Sequence, residues 1–222
     1  VARYVNLMDS DDAVDILNEM NVQRREEVIA LLENEEKAED ILDLLHYEED
    51  CAGGLMAKEL IKVNINWRVR QCIEEIRRQA EDVERIYTVY VVDNKDILLG
   101  RLSIKTLLLS KDDKLVKDIF NPDVISIESF RDENEVVSVM QKYDLEAIPV
   151  VNIQGRLLGR ITIDDVIDVM QEQAELSRQL MTGISENVEE DDSVFRISRS
   201  RIPWLVIGMV GGLLAAHFMG FF

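Results

Sequence analysis

Residues 90–108, "YVVDNKDILLGRLSIKTLL", align without a gap onto residues 149–167, "PVVNIQGRLLGRITIDDVI", at an offset of 59. An internal repeat constrains the fold more than any other feature, because each unit must bury its apolar face against its copy. Each unit reads as strand, turn, strand, helix. In the second, the strand Ile148–Val151 carries Pro149, a turn falls at Gly155, a strand runs Leu157–Ile163, and a helix opens on Asp164 and Asp165. An amphipathic helix precedes each unit, "VRQCIEEIRRQ" in one and "ENEVVSVMQKY" in the other. Two β-α-β-β-α units of this kind are expected to pack sheet against sheet as one pseudo-symmetric module, leaving two clefts between them.

Ahead of the repeats, residues 1–52 contain neither glycine nor proline. Ala13, Ile16, Leu17 and Met20 recur at helical spacing behind Asp9 or Ser10 as N-cap. Val28, Leu31 and Leu32, then Ala38, Ile41, Leu42 and Leu45, repeat the pattern, which predicts a bundle or superhelix of short helices with acids outside. At the other end, Ile202–Phe222 holds 21 residues without a formal charge. At 1.5 Å per residue they make roughly 31 Å of helix, the thickness of a hydrocarbon core. Trp204 sits at one edge, and Arg196, Arg199 and Arg201 lie upstream, which places residues 1–201 in the cytoplasm. Gly208 and Gly212 allow close helix packing, and His217 reads as a packing or boundary residue. One span encloses no pore, so conduction would need residues beyond Phe222. A chain that opens on Val1 and stops inside this apolar run reads as a fragment.

Acids outnumber bases 44 to 25, a formal net charge of −19. That balance repels a polyphosphate, which argues against nucleic acid, and favours cations. Cys51 and Cys72 match neither a metal spacing nor a disulfide framework, so a reducing compartment is expected. No nucleophile–base pair, P-loop or HExxH is present, so the chain does not read as an enzyme. On the last helix Asp165, Asp168, Glu172 and Glu175 step by 3, 4 and 3 and share one face, while Ile163, Ile167, Met170 and Ala174 share another and are expected to face the sheet. Between Arg160 and Arg178 there is no base. Like charges about 5 Å apart cost on the order of 3 kcal/mol per pair at an effective dielectric of 20, before screening. Such a stripe anticipates a counter-ion, and an all-oxygen ligand set suits hard Mg2+ rather than zinc.

The repeats resemble a pair of CBS domains, whose hallmark is a hydrophobic-Pro-Val-Val strand followed by Gly-x-x-Thr-x-x-Asp. The second unit has Ile148-Pro149-Val150-Val151, then Gly159, Thr162 and Asp165; the first keeps Val91, Val92, Gly100 and Ser103 but has Tyr90 for proline and Thr106 for aspartate. The order of pieces, with "EEDCAGGLM" (48–56) as linker, is similar to the MgtE-type magnesium channels. The resemblance implies an α+β chain: an acidic helical domain (1–52), CBS repeats at 53–115 and 116–176, a connecting helix (177–201) and a first transmembrane helix (202–222). It implies a cell-membrane protein that dimerises through its CBS domains. Regulatory Mg2+ ligands of that family match Asp144, Asp165 and Asp168. Where later ligands would fall this chain has Gln173, Leu176 and Ser177, so Glu172 and Glu175 are the substitutes. Asp11, Asp12 and Asp15 are the contributors expected from the helical domain, with Asp132 and Glu135 as weaker candidates. Without ions the acidic faces repel and splay apart; with ions they close, and the connecting helix carries the change to the pore. An alternative reading is an adenine-nucleotide sensor, since Thr162 and Asp165 match the element that holds a ribose, with ATP as ligand.

Overall fold

The computed structural model describes residues 1–80, 83, 85–182, 206 and 209, and of 179–182 the backbone alone. Most of the expected connecting helix and transmembrane helix therefore lie outside the described residues. Among the described residues no helix is long and apolar enough to cross a membrane. Residues 1–166 form one compact unit and residues from Ile167 onward a second.

Four short helices open the chain: α1 (Ala2–Val5), α2 (Ser10–Asn18), α3 (Val22–Ala30) and α4 (Glu35–Leu44). The Asn21 side chain accepts the Arg24 amide, and Asn34 accepts those of Glu36 and Lys37. Each satisfies amide donors that a helix start leaves unpaired. Ala13, Leu17, Val28 and Ile41 are buried as expected, but the rest of the stripe is shifted. Val14 and Leu44 are buried, while Ile16, Leu31 and Leu42 are exposed. Apolar residues sit on both sides of each stripe, and only contact between helices selects which side is covered.

The first repeat comprises β1 (Ile61–Asn64), α5 (Val69–Gln79), β2 (Val89–Val92), β3 (Leu98–Leu102) and α6 (Ile104–Leu109). The second comprises β4 (Ile127–Glu128), α7 (Glu133–Tyr143), β5 (Ala147–Val151), β6 (Leu157–Thr162) and α8 (Ile163–Thr182). Each forms a three-stranded sheet, β1-β2-β3 and β4-β5-β6, with a parallel and then an antiparallel pairing. The register repeats the sequence alignment: Tyr90 pairs with Arg101 as Pro149 pairs with Arg160, and both hairpins shift register between the two adjacent valines. Ile163 is the first residue of the helix rather than the last of the strand. The helix runs without interruption past the 176/177 division expected from sequence.

The offset of 59 returns in the contacts between repeats. Ile97 bridges Arg156, Leu98 N donates to Gly155 O at 2.9 Å and Leu157 N to Asp96 O at 2.9 Å, so the two hairpins pair about a local two-fold. Tyr90, Val92 and Leu157 bury that seam. Each repeat also takes a segment from ahead of the other: Asn121 pairs with Arg101, and Ala57 with Arg160. These crossings explain the shared glycine. A Cβ on Gly100 would lie 2.3 Å from Asn121 O, and one on Gly159 would lie 2.6 Å from Ala57 O.

The "EEDCAGGLM" linker crosses the second repeat as well. Ala52 N donates to Arg131 O and Gly53 N to Ser129 O, both at 2.7 Å, and Glu133 N to Asp50 O at 3.1 Å. Met56 is fully buried and abuts Gly159. The helical domain thus packs on the second repeat, although the first follows it in sequence. One apolar cluster joins Val14, Leu17, Ile41 and Leu44 to Met56, Met140, Ile148 and Ile161, whereas the first repeat keeps its own core around Val63, Cys72 and Leu107. Gly159→Ala sets a methyl against a backbone oxygen and is expected to cost about 1–3 kcal/mol, an overpacking penalty. Thermal unfolding checks it; an unchanged midpoint would refute the close approach.

Candidate acidic interface

The domains that meet are both acidic. Residues 1–52 hold 16 acids against 4 bases, and residues 116–176 hold 13 against 5, while residues 53–115 hold 10 acids against 12 bases. The helical domain therefore lies on the acidic repeat and not on the near-neutral one.

Asp11 and Asp12 lie in the first turn of α2, and Asp165 in the first turn of α8. Burial, followed by the Asp165 carboxylate, pushes the Asp11 pKa up to about 8. Asp12 and Asp9 push in the same direction, and only the Asp12 amide opposes them. Asp165 is raised by burial too, with Asp164 and Asp12 adding to it, although both Thr162 donors favour its ionised form. Those donors are the Thr162 amide (2.7 Å) and hydroxyl (2.8 Å), both onto Asp165 Oδ2. The Thr-x-x-Asp element is thus a cap on α8, with the aspartate reaching back to the residue ahead of the helix. In the first repeat Ser103 makes no side-chain cap bond and α6 ends after six residues.

The remaining expected residues are more dispersed. Asp15 is exposed one turn along α2, and Asp144 ends α7 in the left-handed region at φ 52°. Asp168 and Glu172 are exposed, and Glu175 Oε2 accepts from Arg178 Nη2 at 2.6 Å. Asp132 caps α7 through the Asn134 amide, and Glu135 meets Arg131 at 3.4 Å, so both already serve the fold. Among the described residues no group of three or more His, Cys, Asp or Glu is set to hold a metal ion. The apolar face expected for α8 is corrected: Val166 and Val169 are buried, while Ile167 and Met170 are 45% and 41% exposed. The covered line steps from Ile163 by threes rather than fours, a choice of helix rotation that spacing alone does not make.

Sequence reasoning missed the residues that join the domains. Asp9 and Ser10 were expected to cap α2, but neither does so. Asp9 reaches Arg160 of β6, and Ser10 is buried with its hydroxyl donating to Glu59 Oε2 at 2.7 Å and accepting from the Lys58 amide at 2.8 Å. Lys58 also pairs with Asp43 of α4, and burial pushes the Asp40 pKa up to about 6. Arg160 and Arg101 occupy equivalent places in the repeat, so nothing in the sequence marks only one of them as buried.

Comparison with known proteins identifies the same modules. Residues 1–50 match the family model of the MgtE intracellular N domain, and residues 52–111 and 116–172 match that of the CBS domain. The described chain superposes on the soluble part of a magnesium transporter with a TM-score of 0.72 and 38% identity, covering 78% of this chain and 67% of that one. The chain belongs to the MgtE family. The MgtE magnesium transporter of Enterococcus faecalis is 36% identical over 182 residues, and that of Thermus thermophilus 35% over 178, covering 82% and 79% of this chain. This chain spans 40% of each of those relatives, which are transporters and not enzymes by name. The cytosolic domain of an MgtE Mg2+ channel in complex with ATP superposes with a TM-score of 0.70 and 35% identity, covering 76% of this chain and 68% of that one.

Asp11 binds its proton more tightly folded than unfolded, so its contribution to stability is complete below 3.8 and is lost as pH rises through about 8. In chelator, thermal stability should therefore fall between about pH 4 and pH 8. Asp11→Asn is expected to flatten that fall; an equal slope in the variant would remove Asp11 as its source.

Proposed function

We propose that this chain is the cytosolic magnesium-sensing regulatory part of a magnesium transporter, in which Mg2+ shared between acidic faces favours the closed state. The observation that supports it most is Asp11 opposite Asp165, two half-buried carboxylates from separate domains, each held above the usual carboxylate range by burial and by like charge. A divalent cation there displaces protons and replaces repulsion with attraction. Mg2+ keeps several waters and takes one or two carboxylates, so a pair is enough for a weak site suited to an abundant ion. Asp12 and Asp15 on α2, Asp144 at the end of α7, and Asp168, Glu172 and Glu175 along α8 are the further candidate ligands. Binding that prefers the closed arrangement shifts its population, and α8 leads on to the connecting helix and first membrane span. The whole transporter sits in the cell membrane as a homodimer joined through its CBS domains. Leu108 and Leu109 on α6, 73% and 78% exposed, are surface that such a contact would cover.

A second reading is favoured by the Thr162–Asp165 element: ATP bound in the cleft by its ribose, as suggested by the relative crystallised with ATP. Asp165 Oδ2 is already engaged by Thr162, so a ribose would share that carboxylate with the cap. Thr162→Val is expected to weaken nucleotide binding and also to cost about 1 kcal/mol through the hydroxyl bond lost to Asp165. Isothermal titration with ATP, with and without Mg2+, tests the reading; no heat from ATP in either condition would end it.

Small-angle scattering across Mg2+ concentration at constant ionic strength tests the sensor. The radius should shrink with Mg2+ and not with matched K+. The combined change Asp144→Ala, Asp165→Ala and Asp168→Ala should abolish the response, and a response surviving in that variant would overturn the reading.

A further inference from the structure

The two repeats differ at the outer edges of their sheets. β1 and β4 are the outer strands, and an outer strand leaves main-chain donors and acceptors without a neighbour. Val63 pairs with Val91 as Ile127 pairs with Val150, so Lys62 and Ser126 hold equivalent places. Ile65 N and Ser129 N donate inward, to Val92 O and Val151 O, each at 2.9 Å. Alternate residues of the outer strand therefore turn to the sheet, and Lys62 and Ser126 turn away from it.

In the first repeat that outward position is closed. Gln79, the last residue of α5, sets its amide against the strand: Lys62 N donates to Oε1 at 2.9 Å, and Nε2 donates to Lys62 O at 3.1 Å. One carboxamide thus makes both bonds that a neighbouring peptide group would make. The second repeat has no such plug. Tyr143 ends α7 where Gln79 ends α5, offers no amide, and is 49% exposed. Ser126 is exposed, and among the described residues nothing bonds its main chain.

A cavity of about 500 Å³ opens along this edge, with Ser126, Glu128, Arg131, Val139 and Ile153 in its lining. At the matching places the first repeat carries Lys62, Asn64, Trp67, Glu75 and Asn94. There Asn64 bonds Asn94 at 2.9 Å and Gln79 bonds Glu75 at 2.7 Å, which closes the surface with polar groups. The second repeat has apolar groups instead, Val139 half-buried and Ile153 78% exposed. Glu128 and Glu135 both meet Arg131, at 3.0 and 3.4 Å, so the lining keeps one uncompensated negative charge.

We propose that the outer edge of β4 is a docking groove for an extended segment of a partner protein in which basic and apolar residues alternate. The segment adds to β4 as a further strand, and its main chain bonds Ser126 N and O as the Gln79 amide bonds Lys62 in the first repeat. Successive side chains of a strand point to opposite faces, as the buried Ile127 and the more open Glu128 do. An apolar residue beside Ile127 therefore meets Val139 of α7, and a basic residue beside Glu128 meets a carboxylate. The groove uses neither Asp11 nor Asp165 and needs no cation, so it does not rest on the sensor reading.

Capped pentapeptides of the pattern Lys-x-Lys-x-Lys, with Val, Ile, Leu or Phe at x, are titrated against the full chain in chelator and followed by fluorescence anisotropy. At least one should bind saturably, and its Glu-x-Glu-x-Glu counterpart should not. Methylating alternate main-chain nitrogens of the bound peptide leaves its charge intact and should weaken binding at least about tenfold, as lost hydrogen bonds do. Tyr143→Gln and Ile153→Asn, which give the second repeat the residues of the first, should each weaken it as well. The proposal is overturned if no probe binds saturably, or if the methylated peptide binds undiminished, which marks charge attraction alone. Binding that either variant leaves unchanged also overturns it, since the peptide then sits elsewhere. Self-association of the chain that Tyr143→Gln abolishes, without peptide binding, overturns it in favour of a second copy at this edge.

Discussion

The carbonyl oxygen of Ala57 lies where a side chain on residue 159 would begin, and glycine there is what lets the incoming chain cross onto β6. The rest of the arrangement follows from that approach. Ala57 and Arg160 exchange backbone bonds, Met56 seats against Gly159, and the linker amides dock on the loop before α7. A chain entering along that path delivers the helical domain to the second repeat and leaves the first with a separate core. Gly100 admits Asn121 in the same way, so the pseudo-symmetry extends from the strands to the segments that cross between them.

The resulting contact sets two acidic bodies face to face. What holds them is mainly apolar: burying one aliphatic side chain contributes roughly 1.5–3 kcal/mol. A few such residues from α2 and α4 therefore outweigh repulsion between nearby carboxylates, which is on the order of 3 kcal/mol per close pair before screening. The acids do not prevent docking, but they leave it conditional. Burial and nearby like charge hold Asp11 and Asp165 above the usual carboxylate range. Arg160 meets Asp9 at this junction, and Lys58 pairs with Asp43 of α4.

Much of the candidate site was legible as residue type and little of it as arrangement. The acids of α2 and the Thr-x-x-Asp element could be picked out, and Asp165 is among the charges that raise the Asp11 pKa. The role of Asp9 could not, because Asp before a helix is ordinarily a cap. Arg160 and Arg101 carry the same local pattern, and only the covering of β6 by the linker and the helical domain buries one of them. The four-carboxylate stripe along α8 was sound as periodicity, yet Glu175 turns to Arg178 and no described group of acids closes into a metal cage.

The sequence by itself determined the two β-α-β-β-α units, their register and the helical domain ahead of them, since an offset of 59 and the spacing of apolar residues are local properties that each segment carries alone. It also determined the excess of acid, which composition states outright. Only the tertiary structure decided which repeat receives the helical domain, which side of each amphipathic helix is covered, and which carboxylates face one another. Those outcomes depend on contacts between residues as far apart as Asp9 and Arg160, and no local pattern encodes a partner 151 positions away.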